Sequence, residues 1–326
     1  MILVRSPLRL SIAGGATDLR SFYSKYNGFC ISAAINKYVY VSVHRTFEEE
    51  VILKYSNIEK ISTIDEIRHP IIREALRMLE FRTPQIEITS HADVPSGTGL
   101  GSSSSFTCAL LKALYSHRNK HIMPDELARR ACEIEINILK GNLGKQDQTI
   151  SAYGGLQKMY FYSDETVNVV PLGMDIEDIY KLEDSILLFF TGKRESTTSS
   201  VLKDQVEKTE SYDHNMIGNL KRTKQIGLDA QVLLENGLIQ DYGRLMHEHW
   251  MNKRKRSPDM SNPQIDEWYE LGLKSGATGG KLVGAGGGGF ILFVTDNAQK
   301  LRDGMQKSGL EEMRFQFDFE GTKRII

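Results

Sequence analysis

The chain is poor in cysteine, with three in 326 residues: Cys30, Cys108 and Cys132. They are far apart and odd in number, which excludes a disulfide framework and a zinc cluster of ordinary spacing. Cys108 and Cys132 fall on apolar helix positions, so buried thiols in a reduced, cytoplasmic protein are expected. An excess of either charge is also missing: 41 Lys and Arg stand against 42 Asp and Glu, a net charge of -1. No global field draws the chain to nucleic acid or an anionic membrane. No apolar run approaches the ~18 residues that a membrane span needs. The longest strong one, ILLFF at 186–190, suits a buried strand. The N-terminal text MILVRSPLRL is broken by Arg5, Pro7 and Arg9 and has no cleavable leader pattern. A Walker loop, G-x-x-x-x-G-K-[ST], does not occur. His247 and His249 make no H-E-x-x-H zinc pattern and read as surface or packing residues.

What remains is a soluble globular chain, 40% hydrophobic and 25% charged, long enough for one large or two ordinary domains. Its organising stretch is 93–114, DVPSGTGLGSSSSFTCALLKAL. Gly97, Gly99 and Gly101 precede four serines, and Phe106, Leu110, Ala113 and Leu114 then repeat at helical period. The strand pattern QIEITS at 85–90 leads into it, so the loop sits at a strand-to-helix junction, where ligands commonly bind. Two readings stay open here. One is a serine-capped helix after a flexible turn. The other is a phosphate cradle, in which unpaired first-turn N–H groups and the helix dipole favour an anion and the hydroxyls add donors.

Three further stretches stand out. RSPLRLSIA at 5–13 alternates, with Leu8, Leu10 and Ile12 on one face and Arg9 and Ser11 on the other, then runs into Gly14-Gly15-Ala16-Thr17-Asp18. Arg9 is either a solvent-facing charge or a cation aimed at a site; Asp18 is either a helix N-cap or a site residue. GNLGKQDQ at 141–148 places Asp147 between two glutamines, as an ordinary helix cap or something more. At the C-terminal end GGKLVGAGGGGFILF, 279–293, matches G-x-G-x-x-G. A strand follows it rather than a helix, which argues against a dinucleotide fold; close approach of its backbone to a ligand or another loop is expected. Long helical patterns cover 203–236 and 124–139, the charge of the first reading as a solvated face. A final strand is expected over 313–319.

Three of these stretches, RSPLRLSIAGGATD, DVPSGTGLGSSSS and VGAGGGGFILF, in this order and spacing resemble the three motifs of the GHMP kinases. The text at 245–266, GKQDQ and GGKLVGAGGGG look most like the branch of that family acting on phosphorylated sugars. The resemblance implies a two-domain α+β fold, ribosomal-protein-S5-like over 1–160 and ferredoxin-like over 161–326, with a cleft between the halves. It implies ATP as cofactor, wrapped by Pro95, Ser96, Gly97, Thr98, Gly99, Leu100, Gly101, Ser102, Ser103 and Ser104, and Mg²⁺ on Ser103 and Glu135. Asp147 matches the catalytic aspartate and Arg9 the basic residue beside it. Gly14, Gly15, Thr17, Asp18, Gly286 and Gly287 sit where the family grips its substrate. An acceptor with its own phosphate needs a second cationic pocket, for which Lys193, Arg194, Lys253 and Arg254 are candidates; a solvated helix end remains the other reading of the 253–256 cluster. The partners implied are a small-molecule sugar phosphate and ATP, with no nucleic acid and no membrane, in a monomer or homodimer. A kinase for an unphosphorylated sugar, or a non-catalytic sensor that binds ATP and sugar, are the alternatives. A sensor would be expected to lose the base.

Overall fold

The computed structural model describes residues 1–81, 85–193 and 198–326. In chain order it contains β1 (Ile2–Ala13), α1 (Arg20–Tyr26), β2 (Gly28–His44), β3 (Glu50–Lys54), β4 (Ile58–Ile61), α2 (Pro70–Met78) and β5 (Gln85–Ala92). Then come α3 (Ser102–His117), α4 (Pro124–Cys132), α5 (Gln146–Tyr153), β6 (Leu156–Phe161), β7 (Val167–Pro171), α6 (Ile176–Ser185) and β8 (Ile186–Gly192). The remainder is α7 (Thr198–Glu210), α8 (His214–Glu235), α9 (Ile239–Arg254), α10 (Pro263–Lys274), β9 (Ala277–Leu282), β10 (Gly289–Thr295), α11 (Ala298–Gln306) and β11 (Lys323–Arg324). Among the described residues no helix is long and apolar enough to cross a membrane. The three cysteines are free thiols, Cys30 and Cys108 fully inside.

The first sheet runs β11–β1–β2–β5–β3–β4, with β6 and β7 attached to the other end of the long β2. Only β3 and β5 pair in parallel. The alternation of β1 is real, yet both of its faces are covered. Leu8, Leu10 and Ile12 enter the core, and Arg9 and Ser11 are also buried. Polar side chains on a covered face must find partners, and that requirement builds the site described below. Pro7 cannot donate to the ladder, and the β1–β2 register shifts between Pro7 and Leu8. The Pro7 carbonyl instead accepts from Ser105 Oγ on α3 at 2.7 Å and Ser151 Oγ on α5 at 3.1 Å. Two helices are thereby fixed to one bend in β1.

The second sheet is β8–β10–β9, antiparallel throughout. Glu312 bridges Phe189 on β8. The order Glu312–β8–β10–β9, with helices after β8 and between β10 and Glu312, is the ferredoxin-like arrangement. The fold is therefore α+β in two halves. They share one core, in which Leu8, Leu10 and Ile12 of β1 meet Leu188, Ile226, Leu292 and Val294. A second cluster lies between the first sheet and α2, α3 and α4, and a third packs Trp250, Tyr269 and Phe293 on the second sheet.

Three expectations change. A division at 160/161 falls inside β6, and β7 and β11 from beyond it lie in the first sheet, so the chain visits that sheet twice. The strand expected over 313–319 is an extended segment with one bridge, Phe317 to Ile35, because it crosses from one sheet to the other instead of following an edge. The helix expected over 203–236 is two, α7 and α8. Tyr212 takes φ 60° and the Asp213 carboxylate accepts from Met216 N at 2.7 Å, capping a new start.

The shared Pro7 carbonyl gives a test of how the helices are held. Either Ser105→Ala or Ser151→Ala alone leaves one donor and costs about 1 kcal/mol. The double variant orphans a buried carbonyl, and urea denaturation should show a loss exceeding the sum of the single losses by about 1 kcal/mol.

Candidate functional site

The site is assembled around Arg9. Its Nε and Nη2 donate to the two carboxylate oxygens of Asp147 at 2.7 and 2.5 Å, a bidentate pair. Its Nη1 donates to the Gly99 carbonyl, and its backbone N–H donates to the Leu100 carbonyl at 3.0 Å. One residue of β1 thus holds both the Gly-Ser loop and the start of α5. Gly101 lies directly over the pair: a Cβ there would sit 3.1 Å from Arg9 Cγ and 3.3 Å from Asp147 Oδ2, at φ +76°. Only a residue without a side chain fits that approach. The Asp147 side chain remains 25% exposed, open to the cleft.

The GNLGKQDQ turn is a wiring block. Asp18 is buried and accepts from Gln146 N and Ala16 N, each at 3.0 Å. Gly144 makes this possible, because a Cβ there would lie 1.8 Å from Asp18 Oδ2. The Gln146 amide accepts from Ser11 Oγ at 3.0 Å and reaches Asp147 Oδ1 at 3.3 Å. Gln148 donates to Glu135 Oε2 at 2.7 Å. Burial pushes the Asp18 carboxyl up, against the pull of its backbone donors.

Glu135 lies inside the first turn of a π-type continuation of α4, Glu133–Ile138, a distortion often found at sites. Ser103 Oγ donates to its Oε1 at 2.6 Å and Ser104 Oγ to its Oε2 at 2.9 Å. Burial pushes its carboxyl up while these donors and Gln148 pull it down. The neighbouring Ser102 Oγ is buried without a partner. Hard oxygen donors beside the Gly-Ser loop suit a divalent cation held by one carboxylate, a hydroxyl and the oxygens of a bound anion. Among the described residues no group of three His, Cys, Asp or Glu side chains could hold a metal by itself.

A cavity of about 90 Å³ opens beside the Arg9–Asp147 pair, lined from both halves of the chain. Beyond Asp18 and Asp147 its charged lining is basic: Lys253, Arg256 and Lys281, with His249. All four are buried. Lys253 Nζ donates to the carbonyls of Leu282 and Gly284, Arg256 to Asn219 Oδ1 and Thr223 Oγ1, and Lys281 Nζ to the Ile12 carbonyl. Burial, reinforced by Arg256 and Arg9, brings the Lys281 amine down to about 7; burial brings the Arg256 guanidinium down to about 10. Burial and the three cations hold His249 well below its ordinary range.

Comparison with known proteins agrees with this arrangement. The GHMP kinases N terminal domain matches residues 70–155 and the GHMP kinases C terminal domain matches residues 230–310. The chain belongs to the GHMP kinases. Members of that family use ATP as phosphate donor, generally with a divalent metal. This GHMP kinase is 28% identical to a D-glycero-alpha-D-manno-heptose 7-phosphate kinase of Campylobacter jejuni, over 100% of this chain and 98% of that one. It is 31% identical to a bifunctional fucokinase/GDP-fucose pyrophosphorylase of Arabidopsis thaliana, over 70% of this chain and 21% of that one. Among solved structures, a D-glycero-D-manno-heptose 1-phosphate kinase from Bacteroides thetaiotaomicron superposes with a TM-score of 0.81 at 25% identity, covering 100% and 99% of the two chains.

The expected site residues divide. Arg9, Gly15, Asp18, Asp147, Ser104 and Lys253 line the cavity of this GHMP kinase, and Ser103 meets Glu135 behind the loop. Of the remaining loop residues, Pro95, Ser96 and Gly97 form an exposed rim, while the Thr98 and Leu100 side chains are turned inward. Thr17 is corrected: its buried hydroxyl donates to the Gly14 and Phe29 carbonyls and accepts from Phe29 N, a staple of the loop. Gly14 packs against the Phe29 carbonyl. Gly286 and Gly287 close on Met260, leaving Gly284 and Ala285 to line the cavity. Arg254 leaves the site and pairs with Asp266 at 2.6 Å. Lys193 is exposed at the end of β8, and Arg194 lies outside the described residues. His249 is neither surface nor simple packing. Arg256, Lys281 and His249 are the residues that reading the sequence missed. The basic run from Lys253 to Arg256 was the available signal. A lysine inside the apolar strand β9 was another.

The position of Lys281 makes stability depend on pH. Arg9 on β1, Cys30 on β2, and His249 and Arg256 from the α9 end are the titratable or charged groups around it. The folded state sheds the lysine proton near 7, whereas the unfolded chain keeps it to about 10.5. The unfolded state then binds more protons, so ligand-free stability rises with pH across that window. Chemical denaturation at pH 7 and pH 10 should show the parent gaining stability relative to Lys281→Met.

Proposed function

We propose that this chain transfers the γ-phosphoryl group of ATP to the anomeric C1 hydroxyl of D-glycero-α-D-manno-heptose 7-phosphate, giving the 1,7-bisphosphate for nucleotide-activated heptose and surface polysaccharide. The observation that carries the reading is the bidentate Arg9–Asp147 pair lying beneath Gly101 of the loop. It puts a carboxylate beside the place where a triphosphate would lie. The full-length likeness to the Campylobacter jejuni enzyme supports the sugar.

Phosphoryl transfer asks for positioning and charge neutralisation more than for covalent chemistry. Asp147 orients the C1 hydroxyl and takes its proton as the oxygen bonds to the γ-phosphorus and the bond to ADP breaks. Arg9 holds that carboxylate fixed in plane through its two hydrogen bonds. The main-chain amides of the loop, at the start of α3, meet the phosphate oxygens. Ser103 and Glu135 would hold Mg²⁺, which when bound neutralises charge on the leaving nucleotide. Asp18 and Gly15 line the same cavity and would face the sugar.

An ADP-release assay over a sugar panel tests the assignment. Turnover with the heptose 7-phosphate above fucose, galactose, arabinose and the unphosphorylated heptose is expected. Turnover confined to an unphosphorylated sugar would transfer the chain to another branch of the family. In Asp147→Asn, kcat should fall by about 100-fold or more, while the KM for ATP moves by less than about threefold. A variant as fast as the parent would remove Asp147 from the mechanism.

A further inference from the structure

We propose that Arg256, Lys281 and Gln205 form the pocket that takes the acceptor's own phosphate, and so set this kinase's preference for a phosphorylated sugar. The inference rests on the sugar-phosphate reading above and gives the acceptor's phosphate a place in the fold.

Four observations meet at this pocket. Arg256 and Lys281 line the cavity and are 5% and 3% exposed. Their hydrogen-bond partners among the described residues are neutral: Asn219, Thr223, the Ile12 carbonyl and the His249 ring. Buried cations are ordinarily paired, because the desolvation of an unpaired one is costly. Among the described residues the carboxylates in the lining are Asp147, taken by Arg9, and Asp18, taken by two backbone amides. Asp18 favours the Arg256 charge from a distance but forms no ion pair with it. Finally, Gln205 of α7 lines the same cavity at 4% exposure, and neither its Oε1 nor its Nε2 has a partner among the described residues. A buried primary amide with nothing to bond is a place prepared for a ligand.

A phosphate monoester answers all of these needs together. It brings the missing negative charge, and its oxygens accept from the guanidinium, the ammonium and the amide. The guanidinium has spare capacity, since Nη1 makes no hydrogen bond among the described residues while Nε and Nη2 are occupied. Lys253 has a different task, anchoring the turn at Gly284 through two carbonyls. The pocket joins the end of α9, α7 and β9 of the second half to the loop after β1, so an occupant would tie the two halves together.

The test uses the whole protein and the variants Arg256→Met, Lys281→Met and Gln205→Leu. Each should raise the KM for the heptose 7-phosphate, by about tenfold or more for the two cations, the loss expected for a charge-assisted bond. Any change in the KM for ATP should be about tenfold smaller. Inorganic phosphate should inhibit the parent in competition with the sugar phosphate, and should raise its melting temperature but not that of Lys281→Met. Without phosphate, Lys281→Met should melt no lower than the parent, because replacing an unpaired buried charge by an apolar chain relieves desolvation. That opposition between stability and binding separates a ligand site from a structural one. An unmoved sugar-phosphate KM, or a rise in ATP KM of equal size, overturns the pocket. If Arg256→Met does not fold, Lys281→Met carries the test. If the parent ignores every phosphorylated sugar yet phosphate still protects it through Lys281, the substrate reading fails and the anion pocket stands. If the parent uses the heptose phosphate and the variants do so equally well, the pocket fails and the substrate reading stands.

Discussion

The guanidinium of Arg9 is the constraint from which the rest follows. It sits on a strand covered on both faces, so its charge cannot reach bulk water and must be met from within. Three groups meet it: two oxygens of Asp147 and the carbonyl of Gly99. These belong to α5 and to the Gly-Ser loop, elements separated from β1 by about 90 and 138 residues of chain. A planar fork accepts little displacement, so its geometry fixes where the loop ends and where α5 begins. The bend at Pro7 is secured by hydroxyls from α5 and from α3, the helix that the loop opens into. Structure and candidate chemistry are therefore one network. Its most open member is Asp147, which keeps a quarter of its side chain exposed to the cleft.

The same logic explains the glycines of the third motif. Gly99 and Gly284 press backbone to backbone, and Gly289 lies against the Thr98 carbonyl. The C-terminal glycine run therefore buttresses the Gly-Ser loop from the second half. Both halves shape one turn, and a change in the ferredoxin-like half is transmitted to it through contacts that have no side chain to give way.

Much of this was legible in the sequence, and the division between what was and was not has a physical basis. Local signals carried over. The alternation of RSPLRLSIA, the Gly-Ser turn before an apolar helix and the strand after the glycine run report properties that a few neighbouring residues determine. The odd placement of Asp147 between glutamines was also informative, since both amides turn out to serve carboxylates, Gln146 at Asp147 and Gln148 at Glu135. What failed depended on tertiary phase. From Lys253 to Arg256 the helix α9 ends and the chain turns, so Arg254 swings to Asp266 while Arg256 turns inward. Thr17 belonged to a motif, but its hydroxyl was needed by the backbone of Phe29, a partner twelve residues away that no local pattern announces. Lys281 was visible as the one charge in β9, but nothing local showed that this end of the strand faces a cavity.

Three carboxylates stand near the reacting region, and their surroundings give them different capacities. Glu135 is enclosed, its oxygens shared among two serines and a glutamine, so it can serve a cation beside the loop but cannot reach an acceptor. Asp18 is also buried, and its two oxygens are committed to main-chain amides that hold the 141–148 turn in place. Burial pushes both of these acids up. Asp147 alone combines a guanidinium partner with access to the cleft. Environments that separate similar acids in this way are how a site assigns roles. Here the separation originates in the covered face of β1: Arg9 must be neutralised by something, and the residue that neutralises it is also the one left facing the cleft.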